Sequence, residues 1–221
     1  MTSNLETVRK NICHASKTAG REGGDVTLVA VSKTHPVDAI TPILDQGQRV
    51  FGENKVQEAA RKWSELRQRY GRIKLHLIGP LQSNKVRQAI QTFDVIETLD
   101  RPKLARAIAR ISQQENKSVV CYIQVNLGRE TQKAGIDPDK VDDFVTLCRG
   151  ELGLSVAGLM SIPPVGEDPA PYFLQLKKMA ARNGLEGLSM GMSSDYQTAI
   201  QCSATVVRVG TALFGARAAG P

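Results

Sequence analysis

Val26-Thr27-Leu28-Val29-Ala30-Val31-Ser32-Lys33, followed by Thr34-His35-Pro36, is the stretch from which the fold is read. It is almost continuously apolar, rich in β-branched residues and bounded by turn residues, the pattern of a short buried strand. A strand apolar on both faces is usually central in a parallel sheet, covered by helices on both sides. A lysine closes this one. Folds of the α/β class place their ligands at that carboxyl rim. A lysine held against apolar walls has its ammonium form disfavoured, and the resulting amine can attack a carbonyl to form a Schiff base. Taken alone, the stretch also allows a plainer reading, in which Lys33 ends the strand and points into water.

Working outward, Leu5, Val8, Ile12, Ala15 and Ala19 recur at spacings of three and four, which predicts a helix over 5–19 in front of the strand. Gly20, Gly23 and Gly24 end it. Behind the strand a rhythm sets in. Further strands are predicted over 49–54, 73–79, 93–98, 119–127, 154–160, 185–190 and 205–209. Between them the periodicity predicts helices over 36–46, from Val56 to Gly71, over 83–91, from about Asp100, and over 139–149, 171–183 and 193–202. A last turn runs through Leu213. Alternation of this kind implies a parallel sheet with right-handed crossovers. Eight such units closing on themselves give an α/β (β/α)8 TIM barrel, here with an extra N-terminal helix. An open doubly wound sheet usually has fewer strands. Residues 1–221 read as one domain, because no linker interrupts them and the end, Arg217 to Pro221, leaves no room for a second.

Composition is that of an ordinary globular chain, 41% hydrophobic and 23% charged over 221 residues. No apolar run is long enough to span a bilayer, and the first residues lack a secretory signal, so no membrane role and a cytoplasmic location are expected. Cys13, Cys121, Cys148 and Cys202 form no CxxC pair and suit a reducing compartment; no metal is expected. The net charge of +7 permits anion binding, but Lys and Arg are mixed with Glu and Gln along the helices. With only 5% aromatic residues there is little to stack on bases, so nucleic acid is not an expected partner.

In a barrel the site lies at the carboxyl ends of the strands. Those ends carry Lys33, Asn54, His76 with Gly79, Asn126, Met160-Ser161, Gly191 to Ser194 and Arg208 to Thr211. Phosphate sites in barrels form from the loops after the seventh and eighth strands. Ser193 and Ser194 fall where a helix is predicted to start, and Gly210 lets backbone approach a ligand closely. A lysine on strand one with a phosphate cradle opposite suggests pyridoxal 5′-phosphate, anchored at both ends. Arg208 would then project toward the ring nitrogen. A guanidinium stays charged and only donates, so it would keep that nitrogen unprotonated and weaken the ring as an electron sink. A salt bridge at the rim is an equal reading of Arg208.

Six stretches carry a family resemblance: Ala30 to Thr34, Phe51 to Lys55, His76 to Lys85, Gly158 to Met160, Leu188 to Ser193 and Arg208 to Gly215. They are similar to the YggS/PROSC family, the pyridoxal phosphate homeostasis proteins, related to the N-terminal barrel of bacterial alanine racemase (PLP-binding fold type III). The resemblance implies that Lys33 holds the cofactor as an internal aldimine and that Asn54 sits beside the ring. It implies that Ser193, Gly210 and Thr211 hold the phosphate, that Arg208 meets the pyridine nitrogen, and that His76 and Met160 line the pocket. His76 also reads as a packed rim histidine.

Two functions follow. One is a carrier or buffer of pyridoxal phosphate without a defined turnover, a monomer that passes the cofactor to PLP-dependent apoenzymes. The other is an amino-acid racemase of the same fold. Racemisation needs acid–base groups on both faces of the α-carbon. The related racemases take the second from a tyrosine on an added C-terminal domain, whereas Tyr70, Tyr122, Tyr172 and Tyr196 are placed here on helices or mid-strand.

Overall fold

The computed structural model describes residues 2–215 of the chain; the segment from Arg217 to Pro221 lies outside them. Eight parallel strands close into a barrel in chain order, with β8 paired back to β1. The strands are β1 (Thr27–Val31), β2 (Val50–Glu53), β3 (Lys74–Leu77), β4 (Val95–Leu99), β5 (Val120–Val125), β6 (Val156–Ser161), β7 (Gly187–Ser189) and β8 (Val206–Val209). Between and after them run α2 (Val37–Asp45), α3 (Val56–Tyr70), α4 (Val86–Thr92), α5 (Pro102–Glu115), α6 (Val141–Thr146), α7 (Ala170–Arg182), α8 (Tyr196–Gln201) and the short α9 (Thr211–Phe214). The α/β barrel read from the sequence is therefore the fold.

The extra helix α1 (Asn4–Thr18) begins at a capping box: the Glu6 N–H donates to Ser3 Oγ and the Ser3 N–H donates to the Glu6 carboxylate. Its apolar face, Leu5, Val8, Ile12 and Ala15, is buried. It packs against α8 and α9. The Asn4 amide donates to the Leu213 carbonyl at 3.1 Å and the Asn11 amide to the Tyr196 hydroxyl at 3.1 Å. The helix of the eighth unit has four residues, so α1 supplies the cover that a full eighth helix would give.

Side chains alternate across each strand. Leu28 and Ala30 join the large core between strands and helices, together with Phe51, Leu75, Ile96 and Ile123. Val29, Val95, Tyr122, Met160 and Val206 face one another in a separate buried cluster that fills the barrel interior. Along β1 the same parity carries Val29, then Val31, then Lys33 toward the carboxyl mouth, where Val31 and Lys33 line one cavity.

Most boundaries shift by a residue or more, and three of the differences change the reading. Lys33 lies two residues beyond β1, in a turn. The helix predicted over 139–149 is a short α-helix followed by a π-helical turn, Leu147–Glu151. Ser193 does not begin its helix: α8 starts at Tyr196, with Asp195 at the cap position.

Candidate functional site

The carboxyl mouth of the barrel encloses a cavity of about 860 Å³. Its walls bring together six of the residues singled out in the sequence: Lys33, Asn54, Ser193, Arg208, Gly210 and Thr211.

Lys33 is half-buried on a loop held from below. Ser32 Oγ donates to Glu53 Oε1 at 2.6 Å, and Lys62 Nζ donates to the carbonyls of Ser32 at 3.0 Å and His35 at 3.2 Å. The Thr34 N–H donates to Glu58 Oε1 at 3.1 Å, which holds Thr34 at a φ of 66°, a left-handed conformation uncommon for a threonine. The His35 ring stacks on Phe214, with centroids 4.6 Å apart, at the cavity rim. Two acidic side chains and one lysine, all from β2 and α3, thus fix the segment that carries Lys33.

Asn54 follows β2, and its Oδ1 is buried without a hydrogen-bond partner among the described residues. Gly79 is what lets Asn54 sit there. A Cβ on Gly79 would lie 2.3 Å from the Asn54 carbonyl oxygen and 2.7 Å from its Cα. The Gly79-Pro80 step in the His76 to Lys85 motif is therefore a close backbone approach.

Ser193 belongs to the opposite wall. Its Oγ accepts from the Gly210 N–H at 3.1 Å and the Ala212 N–H at 3.3 Å. The Ser193 hydroxyl thus takes up two backbone donors at the start of α9, which ties it to Gly210 on the cavity wall. Asp195 fixes the approach by accepting the Met192 N–H at 2.6 Å. Gly191, at a φ of 94°, makes the turn between β7 and this loop; a Cβ there would sit 2.6 Å from Ala199 Cβ.

Arg208 is buried at the cavity floor. Its Nη1 donates to Ser189 Oγ at 2.6 Å and its Nη2 to the Ser161 carbonyl at 2.9 Å. Glu97, fully buried, accepts the Ser189 hydroxyl at 2.6 Å and lies 3.8 Å from Arg208 Nη1. Burial on its own would raise the Glu97 carboxyl. The hydrogen bond and charge of His76, the Arg208 charge and the Ser189 hydroxyl outweigh it, and the carboxyl is held below its ordinary range. Burial pulls the Arg208 guanidinium down from its ordinary value, against the opposing pull of Glu97 and Asp195.

The structure does not place His76 or Met160 on the cavity wall, as the resemblance implied. His76 is 3% exposed, and its Nδ1 pairs with Glu97 Oε1 at 2.5 Å, so it is packed inside the barrel. Met160 is buried in the interior cluster beside Val29 and Tyr122. Sequence reasoning missed Glu97, Ser189, Thr98 and Gln124. Thr98 and Gln124 line the cavity, with Thr98 Oγ1 donating to the Gly79 carbonyl at 2.8 Å. A carboxylate in the otherwise apolar run Val95-Ile96-Glu97 was the available signal for the first.

The family profile for the alanine racemase N-terminal domain matches residues 3–218. Pyridoxal phosphate homeostasis proteins of Pasteurella multocida and Escherichia coli K12 are each 39% identical to the chain over 224 residues, 97% of its length and 96% and 95% of theirs. The chain belongs to the pyridoxal phosphate homeostasis protein family. PipY of Synechococcus elongatus, solved with PLP bound, is 37% identical and superposes with a TM-score of 0.82, covering 92% of this chain and all of that one (100%). Alanine racemase of Corynebacterium glutamicum, at 20% identity and a TM-score of 0.66, shares the fold over 98% of this chain and 62% of its own. The match to these relatives runs nearly end to end.

Proposed function

We propose that this protein binds pyridoxal 5′-phosphate through Lys33 and serves in its homeostasis, holding the cofactor and releasing it to PLP-dependent apoenzymes. The observation that carries the reading is one cavity with the Lys33 loop on one wall and Ser193, Gly210 and Thr211 together on the other. The residues present fit the group. Asn54 offers a buried oxygen with no partner of its own among the described residues. Arg208 uses two of its N–H groups on Ser189 and Ser161, which leaves donors of its guanidinium for a ring nitrogen at the cavity floor.

When bound, pyridoxal phosphate supplies an electrophilic aldehyde and a conjugated ring. Lys33 would provide the amine that holds the aldehyde, and the loop bonds to Lys62 and Glu58 keep that residue at the mouth. Ser193, Gly210 and Thr211 hold the phosphate. Arg208 would donate to the ring nitrogen without protonating it, which would leave the ring a poor sink for carbanion charge. Reversible capture then suits a carrier better than a catalyst of deep α-carbon chemistry.

The placement of the tyrosines supports a role without robust turnover. Tyr122 is in the barrel interior, Tyr196 and Tyr172 are on helices, Tyr70 ends α3, and none of them lines the cavity. A protein of this kind is proposed to work as a cytoplasmic monomer, one barrel domain across the chain. Its free cysteines agree with a reducing compartment, and no helix among the described residues is long and apolar enough to cross a membrane.

A visible-absorbance titration with pyridoxal phosphate tests the reading. A new visible band should saturate in the wild type and fail to form in Lys33→Ala. Solvent exchange of the alanine α-proton tests the racemase alternative; rapid exchange by the loaded protein would overturn the carrier reading.

A further inference from the structure

A polar chain crosses the barrel interior beneath the cavity. His76 Nδ1 on β3 pairs with Glu97 Oε1 on β4 at 2.5 Å. Ser189 on β7 donates its hydroxyl to Glu97 Oε2 at 2.6 Å and accepts from Arg208 Nη1 on β8 at 2.6 Å. Arg208 Nη2 ends the chain on the Ser161 carbonyl of β6 at 2.9 Å. Glu97 and Ser189 are fully buried, and His76 and Arg208 are nearly so. Five of the eight strands thus contribute one member each to a single connected network. A register shift between Ile96 and Leu99 accompanies it: Glu97 reaches the interior network while the adjacent Thr98 lines the cavity.

A network so deep carries a desolvation cost that apolar side chains would avoid. Its only member on the cavity wall is Arg208. Every other bond therefore acts on the cavity through that guanidinium. Ser189 accepts from Arg208 while donating to Glu97, which fixes both the place and the roll of the guanidinium plane. Glu97 supplies a compensating negative charge 3.8 Å away.

We propose that Glu97 is a positioning residue for the cofactor site, holding Arg208 through Ser189 and balancing its charge. This rests on the reading that Arg208 meets the ring nitrogen of pyridoxal phosphate. Glu97 touches no cofactor atom itself. The titratable and charged groups that face it are His76 from β3, Tyr122 from β5 and Arg208 from β8, and Asp195 acts on Arg208 from the loop before α8. With Glu97 charged, the field at the cavity floor is that of a compensated guanidinium. With Glu97 neutralised it is that of a bare buried cation, which repels a proton on the bound ring system.

The test is a double-mutant cycle on purified full-length protein, titrated with pyridoxal phosphate and followed by its visible band. Glu97→Gln should weaken binding by about tenfold in the wild-type background, and by less than about twofold in an Arg208→Met background. The pH at which the bound chromophore changes colour should move downward in Glu97→Gln, a shift that a purely structural role would not produce. Equal weakening in both backgrounds, or unchanged affinity and pH profile in Glu97→Gln, would overturn the proposal. Should Glu97→Gln fail to fold, Ser189→Ala removes the bridging hydroxyl at smaller cost and must show the same loss of affinity, again dependent on Arg208. A wild type that forms no visible band would instead sink the cofactor reading itself, which keeps the two failures distinct.

Discussion

Lys62 Nζ and Glu53 Oε1 meet at 2.8 Å in a buried ion pair directly beneath the loop that carries Lys33. The pair does not stand alone. Glu53 Oε1 also accepts from Ser32 Oγ and from the Trp63 indole at 3.0 Å, and Lys62 reaches carbonyls on both sides of Lys33. A buried pair is weak evidence for stability as such, but removing one partner strands the other. Lys62→Met should therefore destabilise the fold by about 3–5 kcal/mol, read from urea unfolding. It should also speed limited proteolysis near residues 33–36, since Lys62 closes both ends of that loop. A variant with unchanged unfolding and unchanged cleavage would show that the pair does not hold the loop.

The cradle formed by Ser193 makes a separate prediction. Its Oγ is the acceptor for the N–H groups of Gly210 and Ala212. Ser193→Ala should cost about 1 kcal/mol of stability, the usual worth of such bonds. The loss of affinity should be larger for pyridoxal phosphate than for pyridoxal, which lacks the phosphate. Parallel titrations with the two vitamers check this, and equal losses would place the phosphate elsewhere.

Gly79 allows a purely steric test. A Cβ there would press into Asn54 backbone at 2.3 Å, where no flexible side chain can yield. Gly79→Ala should destabilise by about 1–3 kcal/mol and weaken cofactor binding by displacing Asn54. Thermal melting together with the visible titration reads both effects.

The acid limb of stability should report Glu97. Its carboxyl is held below its ordinary value of 4.5, so the unfolded chain binds that proton more tightly than the folded one. The stabilisation is complete above about pH 4.5 and is lost as pH falls through the lowered folded value. Glu97→Gln should flatten the fall in unfolding free energy below about pH 4.5, measured by denaturant titration at stepped pH. An acid slope identical to that of the wild type would contradict the assignment.

Thiol chemistry follows from burial. Desolvation pushes the Cys121 and Cys148 thiols up to about 12 and raises Cys202, whereas Cys13 is partly exposed. Native protein should label with an aromatic disulfide reagent rapidly at Cys13 and slowly at Cys121 and Cys148, with all four reacting after unfolding. Fast native labelling of Cys121 would contradict the described core.

The barrel was legible because its signal is periodic. Short apolar runs alternating with helical faces such as Leu104, Ile108 and Ile111 repeat along the chain, and parallel topology follows from the rhythm. That Lys33, Asn54, Ser193 and Arg208 come together around one cavity was legible because strand ends converge at the mouth of a barrel. Ser193 was only half visible: its position suggested the start of a helix, yet that helix begins at Tyr196 and the serine oxygen serves backbone donors from the next loop. His76 and Met160 sit in the packed interior because the cavity wall lies two residues further along on the same inward face, at Ile78 and Ile162. Glu97 and Ser189 were missed because their partners lie on β3 and β8, separations that no local pattern records.

Reductive trapping tests the central claim most directly. Full-length protein loaded with pyridoxal phosphate is treated with borohydride, digested, and mapped by mass spectrometry. One dominant phosphopyridoxyl adduct is expected, on the peptide containing Lys33, absent from Lys33→Ala. A dominant adduct on other lysines with Lys33 unmodified, or no adduct at saturating cofactor, would contradict it.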